Sequence, residues 1–233
     1  MPGITNRMLA PVVNAAAVTY QESIRFFGGK SFVSGNPVRP EFFEEAYEQP
    51  SSPPGAARVL VFGGSQGAHA INMAMVEAAA RLAAASPRVA ITHQTGERDL
   101  EVVRDGYRRA GLEARVEPFL FAMDREMKSA DVVVCRSGAT TLAELTAARR
   151  ASILVPFPGA TDDHQRKNAD VLVKQGAARM VEQRELTGDR LSTEILALAS
   201  DADARRRIAE AAGRLARPDA ARVIVDKVLE LAK

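Results

Sequence analysis

The sequence predicts an α/β fold, a parallel sheet with helices on both faces, on the strength of three observations. From residue 58 onward, apolar runs of strand length alternate with helical patterns, the order that places parallel strands between crossover helices. Two of those runs break at glycine and pass straight into a helical pattern: Val59-Leu60-Val61-Phe62-Gly63-Gly64-Ser65-Gln66-Gly67-Ala68, and Val132-Val133-Val134-Cys135-Arg136-Ser137-Gly138-Ala139-Thr140-Thr141. The 233 residues, 46% hydrophobic and 26% charged, have the balance of an ordinary soluble globular chain with enough apolar material for a core.

Taken in order, the elements begin with a segment unlike the rest. Residues 6–13 read as a short helix, and 15–20 and 31–34 as strands, too few to bury a core of their own. Residues 48–55, Glu-Gln-Pro-Ser-Ser-Pro-Pro-Gly, form a loop by composition. Strands follow at 59–62, 89–92, 115–120, 132–135, 152–156 and 178–182, with helices at 67–84, 97–110, 123–129, 139–149 and 163–175. Two or three helices close the chain, the last starting near Pro218-Asp219, where proline sets a first turn. There is no repeat of fixed period and no low-complexity tract.

Composition excludes several classes. A net charge of +2 is too small to imply nucleic acid, and runs such as Arg205-Arg206-Arg207 and Arg149-Arg150 read as solvated helix faces. Without Trp and with only three Tyr, the chain is a poor platform for stacked bases. The single cysteine, Cys135, cannot form an internal disulfide, fits a reducing cytoplasm, and sits in an apolar run as a buried strand residue. No apolar run is long enough to cross a bilayer, and the first residues lack the pattern of a secretory leader.

Parallel sheets bind ligands beyond the carboxyl ends of their strands, so the residues just after each strand carry the functional information. In the loop 63–67 the glycines allow close backbone approach, and Ser65 either donates to a phosphate oxygen or caps the following helix. A dinucleotide site would want an acid at the end of the second strand, which instead reads His93-Gln94-Thr95-Gly96; His93 reads as structural. Glu144 lies one turn beyond Thr140 and Thr141, where it either accepts two ribose hydroxyls or complements the helix dipole. Asp163 is a natural N-cap, His164 and Gln165 can bond sugar hydroxyls, and the adjacent Asp162-Asp163-His164 lacks metal-cage spacing. Asp201-Ala202-Asp203 reads as helix capping rather than an ion site.

These motifs occur in one order: Gly35-Asn36-Pro37-Val38-Arg39, Gly63-Gly64-Ser65-Gln66-Gly67, Cys135-Arg136-Ser137-Gly138-Ala139 through Glu144, and Asp163-His164-Gln165 with Asn168-Ala169. Together they resemble the MurG family of peptidoglycan N-acetylglucosaminyl transferases, over essentially the whole chain. The resemblance implies the C-terminal half of a two-domain GT-B glycosyltransferase, with a Rossmann-like parallel sheet. It implies transfer of N-acetylglucosamine from UDP-N-acetylglucosamine to undecaprenyl-pyrophosphoryl-N-acetylmuramyl-pentapeptide (lipid I to lipid II), without metal or cofactor. By resemblance Arg39 contacts the nucleotide at the interdomain hinge, Ser65 the diphosphate together with Gly64 and Gln66, and the Leu120 backbone the uracil. Ala139, Thr140, Thr141 and Leu142 present a helix N-terminus to phosphate, Glu144 holds the ribose, and Gln165 with His164 binds the sugar.

The family's N-terminal domain, with its Gly-Gly-Thr-Gly-Gly-His loop and proposed base, has no counterpart here, so no catalytic residue is assigned. The chain is expected to be N-terminally truncated: 1–38 a remnant of the acceptor domain and hinge, 39–217 the donor domain, and 218–233 a helix that packs back on the acceptor domain. Lipid I is then a partner only when the missing domain is supplied. Orphaned apolar surface on 1–40 and on Val223, Ile224, Val228, Leu229 and Leu231 invites self-association. The family works in the cytoplasm, peripheral to the inner face of the membrane. The alternatives are a non-catalytic UDP-sugar module completed by a partner chain, or another UDP-sugar enzyme such as an epimerase.

Overall fold

A computed structural model of the chain describes residues 3–44, 55–160 and 163–232. The elements are α1 (Ile4–Leu9), β1 (Ala16–Val18), β2 (Ser31–Val33), β3 (Ala57–Phe62), α2 (His69–Ala83), β4 (Val89–Gln94), α3 (Leu100–Ala110), β5 (Ala114–Glu117) and α4 (Met123–Ser129). They continue with β6 (Val132–Cys135), α5 (Ala139–Ala148), β7 (Ala151–Leu154), α6 (His164–Lys174), β8 (Arg179–Met180), α7 (Gly188–Ser200), α8 (Ala202–Leu215) and α9 (Ala220–Leu231). Among the described residues β1 and β2 form a small parallel pair, and a six-stranded sheet runs in the order β5-β4-β3-β6-β7-β8. Every neighbouring pair in that sheet is parallel, as the alternating pattern predicts.

Burial on both sides explains the continuous apolar runs. Successive residues alternate between two cores: Val59, Val61, Val132, Val134 and Ile153 face the core built with α2, α3 and α7. Leu60, Phe62, Val133, Cys135 and Leu154 face the core built with α4, α5, α6 and α8. Cys135 is fully buried, and burial pushes its thiol far up, which fits the reading of a strand residue rather than a nucleophile.

The element boundaries shift for local reasons. α2 starts at His69 rather than 67, because Gly67 sits at φ +73 and cannot begin a right-handed helix. β5 stops at Glu117, ahead of Pro118, which has no N–H to give a ladder. α1 covers 4–9 instead of 6–13 and ends ahead of Pro11. Short 3-10 turns at Gln21–Phe26, Gly28–Lys30 and Pro40–Phe42 are not predicted by the sequence pattern. The loop expected at 48–55 lies outside the described residues except for Gly55, as does Asp162.

Hydrogen bonds tie β4 to two helices. Asn72 donates from Nδ2 to the Thr95 carbonyl (2.9 Å) and to Asp99 Oδ2 (2.8 Å), so its Oδ1 must accept from His93 Nε2 at 3.0 Å. That leaves His93 Nδ1 to accept the Tyr107 hydroxyl at 2.7 Å. The imidazole is completely buried and held neutral, so His93 is structural, as read from the sequence.

At the chain's end, Asp201 Oδ1 accepts from Ala204 N–H at 2.8 Å, the capping role expected of it. On α9 Ala220 is buried, whereas Val225, Val228, Leu229 and Leu231 are exposed, as are Met8, Leu9 and Val12 near the start.

Two predictions follow from packing and titration. Leu60→Ala, on the central strand, should cost about 2–5 kcal/mol in urea unfolding, while exposed Leu229→Ala should change stability by less than about 0.5 kcal/mol. Burial lowers the His93 pKa from 6.5 to about 3, with Asp99 pulling the other way. The unfolded chain therefore binds a proton that the native one refuses. The stabilisation is complete above pH 6.5 and is lost as pH falls toward 3, with a slope approaching 1.4 kcal/mol per pH unit. Unfolding midpoints of His93→Gln from pH 7 to 4 should lack that part of the slope.

Candidate functional site

The strand order makes the site. From β3 the chain winds outward through β4 to β5, then returns to β6 on the other side of β3 and continues to β7 and β8. The connections leaving β3 and β6 thus diverge and open a crevice beyond their carboxyl ends. Phe62 pairs in register with Cys135, so Gly63-Gly64 and Arg136-Ser137 emerge side by side. A cleft of about 550 Å³ lies there, lined by Gly63, Gly64, Gly67, His69, Arg136, Gly138, Thr141, Phe157, Gln165 and Gln183.

The glycine loop is shaped by contact with its neighbour. A Cβ on Gly67 would lie 1.9 Å from the Thr95 carbonyl oxygen, and one on Gly96 2.6 Å from that of Gln66, so the loops 63–67 and 95–96 stack backbone on backbone. Gln94 fastens this stack: its Nε2 donates to the Gly64 carbonyl (2.9 Å) and its Oε1 accepts the Leu120 N–H (2.8 Å). Ser65 and Gln66 sit exposed on the loop. Ser65 does not cap α2, because Ala68 holds the N-cap position and no side chain caps it. The first intrahelical bond of α2 runs from Asn72 N–H to the Ala68 carbonyl, leaving the N–H groups of the first turn for a ligand.

The second strand-end loop leads into α5, again with no side-chain cap at Gly138. Ala139, Thr140 and Thr141 offer its unpaired N–H groups, and Asn36 Nδ2 reaches the Thr140 hydroxyl at 3.5 Å. Leu142 differs from its neighbours: its N–H already donates to the Gly138 carbonyl (3.0 Å) and its side chain is fully buried, so it supports the turn. The Leu120 N–H is committed to Gln94 Oε1, so a ligand could use only the carbonyl of that residue's backbone.

Arg136 projects from the end of β6 into the cleft. Its Nη1 donates to the carbonyls of Val155 and Pro156 (3.1 and 3.2 Å), its Nη2 to Gln183 Oε1 (2.7 Å), and the guanidinium lies 5.4 Å from the Phe157 ring centre. Burial lowers its pKa to about 10, which leaves it a full cation at neutral pH. Gln165 is locked by the Phe157 N–H on Oε1 (3.0 Å) and the Ser137 hydroxyl on its carbonyl (2.9 Å), with its amide nitrogen left for a ligand. His164 is brought elsewhere, into a neighbouring cavity of about 360 Å³ with Gly3, Asn6, Thr19 and Tyr20. Asp163 holds the N-cap position of α6, but at φ 56 its carboxylate makes no capping bond, contrary to expectation.

Arg39 and Glu144 form a second pole. The 3-10 turn after Arg39 buries Phe42 in the same core as Leu120 and Leu142, and the Arg39 guanidinium lies 5.3 Å from the Phe42 ring centre. Burial raises the Glu144 carboxyl above its ordinary range while the charge of Arg39 pulls it back. Glu144, on α5, thus lies within electrostatic reach of the Arg39 cation. Sequence reasoning does not find Gln94, His69 or Asp99, because their partners lie 26–30 residues away and no local pattern marks them.

Comparison with known proteins accords with this geometry. The glycosyltransferase family 28 C-terminal domain matches residues 58–224. A relative from Anaeromyxobacter dehalogenans, a UDP-N-acetylglucosamine--N-acetylmuramyl-(pentapeptide) pyrophosphoryl-undecaprenol N-acetylglucosamine transferase, is 50% identical over 232 residues, covering 99% of this chain and 60% of its own. The chain therefore spans about three-fifths of the length of that relative. The crystal structure of Acinetobacter baumannii MurG superposes with TM-score 0.81 at 29% identity, over 98% of this chain and 64% of that one. A UDP-GlcNAc 2-epimerase from Neisseria meningitidis, solved with UDP-GlcNAc bound, shares the fold at TM-score 0.64 and 11% identity, over 96% of this chain and 63% of its own. Matched across its sheet, both strand-end loops and most of its helices, this chain belongs to glycosyltransferase family 28 and carries that family's C-terminal domain.

Proposed function

We propose that the chain binds UDP-N-acetylglucosamine across the β3–β6 crevice. It would thereby supply the donor half of a transferase that converts lipid I to lipid II in peptidoglycan synthesis. The observation that carries this reading is the convergence of the glycine loop, the uncapped start of α5 and the Arg136 cation on one strand-end cleft. Two phosphates need such donors, and a uridine ribose needs a carboxylate such as Glu144 beside them. The 50% identity to a named transferase over nearly the whole chain supports the choice of sugar and acceptor.

In the reaction the acceptor hydroxyl oxygen attacks the anomeric carbon from the face opposite the diphosphate. The bond from that carbon to the β-phosphate oxygen breaks, and its electron pair leaves with UDP. The unpaired N–H groups of the glycine loop and α5, with Arg136, stabilise the charge that collects there. The hydroxyl proton passes to a base on the acceptor domain.

Residues 1–38 form the tail of that acceptor domain and its hinge, 39–217 the donor domain, and α9 packs back against the acceptor domain. The separate β1–β2 pair and the apolar exposures on 8–12 and on α9 support this division. Among the described residues no helix is long and apolar enough to cross a membrane. In this reading the chain works in the cytoplasm, peripheral to the membrane that holds its lipid acceptor.

Titration calorimetry should show UDP-N-acetylglucosamine binding that Glu144→Gln and Ser65→Ala each weaken by about tenfold. Absence of heat and of competition at millimolar donor would reject the reading. Sedimentation should show reversible self-association of the chain that Leu229→Asp reduces, and a monomer at all concentrations would reject the orphaned-surface assignment.

A further inference from the structure

The cleft holds one titratable side chain that the donor-site reading leaves unused. His69 is the first residue of α2 and lines the cleft between the glycine loop and Arg136. Its Nδ1 lies 3.0 Å from each carboxylate oxygen of Asp99. Asp99 is fixed in turn by the Asn72 amide (2.8 Å), on a side chain only 8% exposed, whereas the His69 side chain is 56% exposed. The two ring nitrogens point in opposed directions. With Nδ1 held against the buried carboxylate, Nε2 is the ring nitrogen left for the cleft that this exposed side chain lines.

This arrangement fixes the tautomer. Ionised Asp99 only accepts, so His69 carries its proton on Nδ1 when neutral, and Nε2 then shows the cleft a lone pair. A second proton converts Nε2 into a charged donor. The same cleft edge thus repels an anionic oxygen in one state and binds it in the other. Burial alone would raise the Asp99 carboxyl, but hydrogen bonds from Asn72 and His69, with the charges of His69 and Arg98, hold it below its ordinary value, so it stays ionised. The charged groups around His69 are Asp99, which Arg98 approaches to 3.9 Å, and Arg136, which lines the same cleft.

We propose that His69, aimed by Asp99, is a diphosphate-binding residue whose Nε2 grips the donor only when the imidazole is protonated. Donor uptake is thereby coupled to pH. This deepens the donor-site reading above and rests on it. The ligand class is a nucleoside diphosphate ester, bound at the start of α2, where the helix dipole adds to the imidazolium charge.

The probe is UDP-N-acetylglucosamine rather than UDP, because both of its phosphates are esterified and keep their charge across the range tested. Calorimetry from pH 5.5 to 8 should show wild-type affinity falling about tenfold as pH rises. His69→Gln should bind about tenfold more weakly at pH 5.5 and show a flat profile. His69→Arg, which keeps a cation at that place, should retain the acid-side affinity and also be flat. His69→Gln matching wild type in affinity and pH profile overturns this inference while leaving the donor site standing. Wild type that takes up no donor at any pH overturns both.

Discussion

Everything functional in this molecule depends on the adjacency of β3 and β6 at the centre of a parallel sheet. Each is followed by a connection that leaves in the opposite direction, which opens a crevice beyond their carboxyl ends. Backbone N–H groups are left unpaired at two helix starts on either side of that gap, and Arg136 adds a cation. The site is therefore a consequence of topology first and side chains second. The two cores on either face of the sheet hold β3 and β6 rigid, which keeps the two loops at a fixed separation.

The glycine loop shows how tightly that geometry is set. Its backbone rests on the loop 95–96 so closely that a methyl group on Gly67 has no room. Gln94, buried beneath, joins Gly64 to Leu120 through one amide. The glycine loop and the Leu120 backbone are consequently connected through one buried amide rather than through mobile side chains. A second set of bonds, centred on Asn72, runs from His93 at the heart of the sheet to Asp99.

Much of the fold was legible from the chain alone, since a doubly buried parallel strand leaves an apolar run and glycine leaves a break. The six strand positions and the glycine loops emerge that way. Helix starts were less legible, because Gly67 reads as part of a helical pattern until its positive φ is known. In the site, Gly64, Thr141 and Gln165 come to the cleft as the motifs imply, while His164 turns into a neighbouring cavity and Leu142 is spent on the core. Neighbours in sequence at a helix start face different sides, which a motif read as a string does not reveal. Gln94 and Asp99 leave no signal at all, because their roles exist only once distant loops have met.

The central claim concerns where the donor lies, and a crystal structure of the chain with UDP-N-acetylglucosamine tests it most directly. The diphosphate should appear between loop 63–67 and the start of α5, with Arg136 beside it and the ribose within hydrogen-bonding distance of Glu144. Density for the donor elsewhere, such as the arginine-lined cavity at Arg149, Arg206 and Arg214, with the crevice left to solvent, would contradict the account.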